Sequence, residues 1–439
     1  MVLALTGADS ACGGLLTMIP GPLIAVIRSF RKGNELSRVT TLMLGGGIGA
    51  VLVLAVTPWI TRIYGAEQYG RYSLFAVLAN LAMQVISLRL EARFPYVSAP
   101  ESGALAAGML FVGLAAGILT GAGALAGMYL FPIGNLAWLV LFVPIAAAYQ
   151  LACACALRTS AATTLATLRS FPMGCFAAFA LLNWFPLEVS LILGYVAALV
   201  VGKPLDLLGY AFRYSVVHAL EAIRRNAAWI RAALPGAALD ALSHAAPVII
   251  INAAFSAREA GWYNAVRFAV AGPLLLIQYA SNQALTMSLR EALERKRSLL
   301  MPVARFAMGL AFTVPAIGLS LSVIAIMLGD GLFGLGWNTE PWFILSIMGG
   351  MIVRSIFAPL SVVFFAASRP GLSTSFQASM VLVYFVALFP LASQLTFKSL
   401  IIWLCALEAI LYAVYGSLAF YCARSASPGP SDGKVHVGK

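Results

Sequence analysis

Residues 341–366 read PWFILSIMGGMIVRSIFAPLSVVFFA, an apolar run whose single charge, Arg354, lies near its middle. About 20 apolar residues wound as a helix cross the hydrocarbon core of a bilayer, and a helix satisfies its own backbone hydrogen bonds there. A guanidinium facing lipid at that depth costs several kcal/mol. The run that marks a span therefore also marks Arg354 as a side chain turned toward protein or ligand.

The same contrast of long apolar runs and short polar turns repeats along the chain. The spans fall at approximately 39–61, 69–90, 103–131, 136–157, 167–185, 187–207, 235–256, 262–288, 301–329, 341–366, 373–396 and 399–422. Hydrophobic residues make up 61% and charged residues 10% of 439, with a mean hydropathy of +0.92. A soluble fold has no interior for so much apolar surface. Twelve helices use roughly 240 residues, leaving turns but no separate soluble domain. The predicted fold is an all-α polytopic membrane protein: a cytoplasmic or amphipathic lead-in 1–38, a six-helix bundle 39–207, a basic linker 208–234, a second six-helix bundle 235–422 and a flexible cytoplasmic tail 423–439. Pro58, Pro144, Pro247, Pro273, Pro315, Pro359 and Pro390 are positioned to bend spans.

The net charge of +12 is distributed unevenly. Arg28, Arg31, Lys32 and Arg38 begin one set of turns, which continues through Arg89 and Arg93, Arg158 and Arg169, Arg213 to Arg231, Arg290 to Arg297, Arg369 and Arg424; the opposite set holds little beyond Arg62, Arg71, Arg258 and Lys398. Basic turns face the cytoplasm, so both termini are placed on the cytoplasmic side of the membrane. Nucleic acid does not fit, because the basic residues form no polar tract interleaved with aromatics. Residues 13–27 are apolar, but their charges follow rather than precede them, which argues against a cleavable signal peptide and for an amphipathic or re-entrant lead-in, or an over-extended start. Arg213 to Arg231 reads as an amphipathic cytoplasmic linker.

Cys12, Cys153, Cys155, Cys175, Cys405 and Cys422 lie mostly in or beside apolar runs and read as small hydrophobes. His218, His244 and His436 are scattered and suggest no metal. Gly45, Gly46, Gly47 and Gly49 lack the lysine of a phosphate loop and suit close helix contact. No nucleotide motif points to ATP.

An internal echo divides the chain in two. Pro58 precedes Gly70 and Tyr72, and Pro247 precedes Gly261 and Tyr263. Six spans separate the pairs, so equivalent helices run the same way, as in a parallel repeat.

The stretch Pro58-Trp59-Ile60-Thr61-Arg62-Ile63-Tyr64-Gly65-Ala66-Glu67-Gln68-Tyr69-Gly70, with Ser87-Leu88-Arg89-Leu90-Glu91-Ala92 and Pro95, resembles the bacterial O-antigen flippase group of the multidrug/oligosaccharidyl-lipid/polysaccharide superfamily. Glu259-Ala260-Gly261-Trp262-Tyr263-Asn264-Ala265-Val266-Arg267-Phe268, then Pro273, and Phe333-Gly334-Leu335-Gly336-Trp337 extend the resemblance over roughly 38–420. Leu90 departs from the aromatic often found there, and the first 35 residues fall outside it. The resemblance implies a MATE-like pair of six-helix bundles around a central cleft. It also implies alternating-access translocation of undecaprenyl-diphosphate-linked oligosaccharides for O-antigen, capsule or exopolysaccharide synthesis. Such a monomer depends on glycosyltransferases that make the glycan and on a polymerase or ligase that consumes it. It makes no bond, needs no cofactor, and leaves proton or sodium coupling open.

Arg354 could offer a forked donor set to a diphosphate or sugar, or pair internally. Glu408, embedded in the last span, could pair with Arg354 or take a coupling proton. Arg267, Arg62, Arg71 and Arg89 are further headgroup candidates against helix-end anchoring. Asp240 could pair with one of them or cap its helix. Asn80 with Gln84, and Gln278 with Asn282, stand four apart and form polar stripes, for sugar or for neighbouring helices. The interfacial aromatics Trp59, Tyr64, Tyr69, Tyr72, Trp262 and Tyr263 suit bilayer anchoring. Two alternatives stand beside the flippase: a small-molecule exporter of the same architecture, and a membrane glycosyltransferase or polysaccharide polymerase. The short outward turns count against the second.

Overall fold

The computed structural model describes residues 35–94, 99–130, 134–158, 162–201, 214–333, 337–338, 340–367 and 369–426. Most of the predicted lead-in, Arg213 in the linker, Gly334 to Gly336 and the tail from 427 lie outside the described residues.

All regular structure among the described residues is helical. α1 (Glu35–Ile86) runs through the first two predicted spans as one stretch of 52 residues, broken at Gly65 with φ 71 and ψ 172. That backbone region belongs essentially to glycine. No atom lies within 4 Å of where a Cβ would stand, so conformation rather than crowding requires glycine there. α2 (Ala99–Leu130), α3 (Leu139–Arg158), α4 (Ala162–Leu182) and α5 (Leu187–Val201) follow. α4 packs between α1 and α5, and α2 lies along α3. A Cβ on Gly49 would stand 3.2 Å from the Ser170 backbone, so α1 and α4 approach closely there.

α6 (Val216–Arg225) is the helical part of the linker, capped by Ser215, with Arg224 and Arg225 in its last turn where the helix dipole favours cations. α7 (Ala227–Ala254) starts immediately after Asn226, well before the boundary at 235 expected from hydropathy. Asp240 is therefore mid-helix and cannot cap it. This corrects the capping alternative: apart from Arg231, Ala227–Ala233 is apolar and helix-forming, so linker and span fuse. α8 (Ala257–Ala265) is capped by Ser256, whose hydroxyl accepts from the Arg258 N–H and bonds to the Glu259 carboxylate. A π turn (Val266–Val270) leads into α9 (Gly272–Glu294). α10 (Leu300–Phe333) and α11 (Pro341–Phe357) come next, α11 continuing through a tight turn to Ala366. α12 (Pro370–Leu382) extends through a second π turn to Ala392, and α13 (Phe397–Ser425) ends the described chain.

Eight described stretches are long and apolar enough to cross a membrane, carried by α2, α3, α4, α7, α10, α11, α12 and α13. The chain is a multi-pass membrane protein. Twelve were expected. The two arms of α1 join at their bend, α5 has only 15 residues, and α8–α9 is interrupted by the π turn and carries Gln278, Asn282 and Thr286.

The sequence echo meets itself in space. α1 and α8 cross so tightly that a Cβ on Gly70 would stand 1.5 Å from the Ala257 carbonyl oxygen, and one on Gly261 would stand 2.2 Å from the Ala66 carbonyl oxygen. Beside the crossing, Asn264 Nδ2 donates to Ser73 Oγ at 2.7 Å. Tyr69 packs edge-on against Trp337 at 5.9 Å, and Trp262 against Phe397 at 6.0 Å. The two halves of the sequence are thus pressed together where α7 gives way to α8.

Candidate functional site

A cavity of about 350 Å³ opens among α7, α9, the turn after α11, α12 and α13, lined by Asp240, His244, Gln278, Asn282, Ser361, Gln377, Tyr412 and Tyr415 with Ala358. Helical spacing explains the grouping. Asp240 and His244 are four apart on α7, as are Gln278 and Asn282 on α9, and Glu408, Tyr412 and Tyr415 fall on one face of α13. Along α7 the cavity lies about 20 Å from the glycine crossing, at the helical rise of 1.5 Å per residue.

Its polar groups include one carboxylate, three side-chain amides and an imidazole. The Asp240 side chain is 54% exposed. His244 Nδ1 lies 2.7 Å from the Asp240 carbonyl oxygen. A carbonyl can only accept, so Nδ1 carries a proton in this contact. The buried Gln278 Oε1 has no hydrogen-bond partner, although buried polar atoms are usually paired. Asn282 Nδ2 donates to Ser361 Oγ at 3.2 Å. Ser243 Oγ lies 3.1 Å from Gln377 Oε1, tying α7 to α12, and the Tyr415 and Ser373 hydroxyls are 3.0 Å apart.

The charges expected in the spans stand behind this wall. Arg354 and Glu408 are 3% and 4% exposed, and Arg354 Nη1 donates to Glu408 Oε1 at 2.9 Å. The guanidinium lies 5.5 Å from the centre of the ring of Tyr412, itself one of the cavity's lining residues. Arg354 Nε is buried without an acceptor. Arg267, in the π turn, donates to the His244 carbonyl at 3.2 Å and lies 5.9 Å from the Tyr263 ring centre.

Other candidates lie elsewhere. Arg62 is exposed. Arg71 pairs with Glu67 at 2.5 Å, both more than half exposed, a class of pair worth about 0–1 kcal/mol. Arg89, in a left-handed turn at φ 59, donates to Gln84 at 3.0 Å and Glu91 at 3.4 Å, while its carbonyl accepts from Trp229 Nε1 at 3.1 Å. Asn80 is exposed. The structure thus brings Asp240, Gln278 and Asn282 into one cavity with Arg354, Glu408 and Arg267 behind it, and leaves Arg62, Arg71, Arg89, Asn80 and Gln84 outside its lining. Sequence reasoning missed His244, Gln377, Ser361, Tyr412 and Tyr415. The four-residue steps from Asp240 to His244 and from Glu408 to Tyr412 were the available signal.

Among the described residues no cluster of three or more His, Cys, Asp or Glu could hold a metal. Cys155, Cys405 and Cys422 are buried.

The fold is similar to that of solved structures. A multidrug resistance MATE family transporter of the MOP superfamily, in its inward-facing conformation, superposes with a TM-score of 0.56 at 14% identity, over 89% of this chain and 98% of that one. A proline-to-alanine mutant of a MATE protein gives 0.50 at 12% identity, over 91% and 98%. The fold is MATE-like. No protein-family model matches the sequence, and no curated protein matches it.

This likeness corrects the functional expectation. The MATE-like structures overturn the reading of an O-antigen, capsule or exopolysaccharide flippase for undecaprenyl-diphosphate-linked oligosaccharide. The physical reason lies in the motifs that suggested it. Gly70 and Gly261, on which the resemblance partly rested, lie at a helix crossing, a packing role that carries no information about a glycan.

Proposed function

We propose that this chain exports small organic molecules bearing a protonated amine or other cationic centre. The observation that carries the reading is the carboxylate of Asp240, more than half exposed at the cavity. It is the one carboxylate among the lining residues, and the unpartnered Gln278 Oε1 stands with it. A volume of about 350 Å³ belongs to the range of small-molecule sites. The nearby arginines are spoken for, Arg354 by Glu408 and Arg267 by the His244 carbonyl. The likeness to a protein described as a multidrug transporter supports the same reading.

The architecture belongs to this proposal: twelve spans, counting both arms of α1, α5 and α8–α9, in two parallel bundles in the cytoplasmic membrane, with both termini cytoplasmic. Transport alternates between the crossing of α1 and α8 closed, as here, and parted. If a proton or sodium ion drives export, Asp240 is the group it reaches, since its side chain is 54% exposed and that of Glu408 only 5%.

Efflux of ethidium, an aromatic cation, from cells or proteoliposomes carrying the protein tests the reading. Asp240→Asn should slow it about tenfold or more, as expected for loss of a charge-assisted contact, with the protein still inserted and folded. Undiminished efflux by Asp240→Asn, or preference for anionic dyes, would reject the assignment.

A further inference from the structure

We propose a second binding site, for the phosphate headgroup of an anionic phospholipid, in the turn between α9 and α10. A cavity of about 500 Å³ lies there, separate from the one already described, lined by Arg295, Arg297 and Arg305 together with Ser288, Ser298 and Phe306. The turn is built rather than loose. The Lys296 N–H donates to the Leu293 carbonyl at 3.0 Å and the Arg297 N–H to the Ala292 carbonyl at 2.8 Å, the paired bonds that close a helix with a left-handed residue. Lys296 occupies that left-handed position at φ 51, where glycine is usual. Ser298 Oγ then accepts from the Leu300 N–H at 3.2 Å, opening α10. Two arginines are thus held at the end of α9, facing a third from the first turns of α10.

The local charge is positive. Arg290, Arg295, Lys296, Arg297 and Arg305 stand against Glu291 and Glu294. Among the described residues, Arg297 and Arg305 make no ion pair. The positive end of the α10 dipole adds to their field. Forked guanidinium donors, two hydroxyls and a helix start are the chemistry that holds a phosphate.

A lipid rather than a soluble phosphate is indicated by what lies along the same face of α10. Met301, Arg305, Met308, Phe312 and Leu319 fall on one helical stripe, and its apolar members are 59%, 58%, 79% and 56% exposed. α10 is the least buried of the eight spanning stretches. An acyl chain lying on that stripe brings its headgroup to Arg305 and the turn. Basic turns also meet the anionic leaflet, where each nearby arginine adds to the attraction.

The full-length protein in phosphatidylcholine nanodiscs doped with phosphatidylglycerol provides the test, read by native mass spectrometry of retained lipid. Wild type should retain phosphatidylglycerol over phosphatidylcholine. Arg297→Gln and Arg305→Gln should each lower that preference about fivefold, and Phe312→Ser should shorten retention. Arg225→Gln, an exposed arginine at a different turn, should leave it unchanged. Equal retention by wild type and the double Arg297→Gln/Arg305→Gln variant, when both melt alike in pure phosphatidylcholine, would overturn the site. Full displacement by inorganic phosphate would overturn the lipid assignment in favour of a soluble anion. The readout is independent of transport, so it stands or falls apart from the exporter reading.

Discussion

Arg354 and Glu408 depend on each other. Removing one leaves the other buried and charged, a defect of about 3–5 kcal/mol, whereas replacing both with apolar residues is often close to neutral. Arg354→Met or Glu408→Gln should therefore sharply lower the melting temperature in detergent, and Arg354→Met/Glu408→Leu should recover much of the loss. Equal damage from the double variant would mean the pair has further partners. Gln278 is the opposite case. Its Oε1 is buried and unpartnered, so Gln278→Leu should preserve or raise the melting temperature while weakening ethidium efflux. That Arg354 and Glu408 matter was legible in the sequence, because a charge inside an apolar run needs a partner. That His244 and Tyr412 share their surroundings was not. A histidine and a tyrosine are unremarked inside a span until the facing helices are known, and Asp240 was misread because hydropathy placed the start of its helix too late.

At the level of elements, hydropathy located most spans but not how they join. It could not see that α1 passes through two predicted spans, since the bend depends on one backbone conformation at Gly65. Gly65→Ala should cost about 1–3 kcal/mol, the usual range for a residue held in a disfavoured region, measured as a drop in thermal stability. Its surroundings are open, so Gly65→Ser should cost the same, and a loss that grows with side-chain size would argue for crowding instead. The bond from Asn264 to Ser73 ties α8 to α1. Ser73→Ala strands a buried amide donor, for about 1–3 kcal/mol, and Ser73→Thr should lose less if the hydroxyl is what counts.

Across the whole molecule, the paired Gly-x-Tyr elements were visible in the sequence as an echo, but an echo gives likeness, not contact. Their meeting at one crossing joins the two halves of the chain. Gly70→Ala or Gly261→Ala should hold the halves apart there. Spin labels at Gln68 and Arg258 should then report a longer and broader distance, and ethidium efflux should fall with the protein still folded. An unchanged distance would show that the crossing yields without parting.

The crossing also limits how the protein can recover from damage. Each glycine abuts the main chain of the other half, and both are already the smallest residue available. A mutation at 70 therefore has no compensating exchange at 261, nor the reverse. Selection for suppressors of Gly70→Ala should return changes that let a backbone shift, in the bend of α1 or the cap of α8, and none at the partner glycine itself.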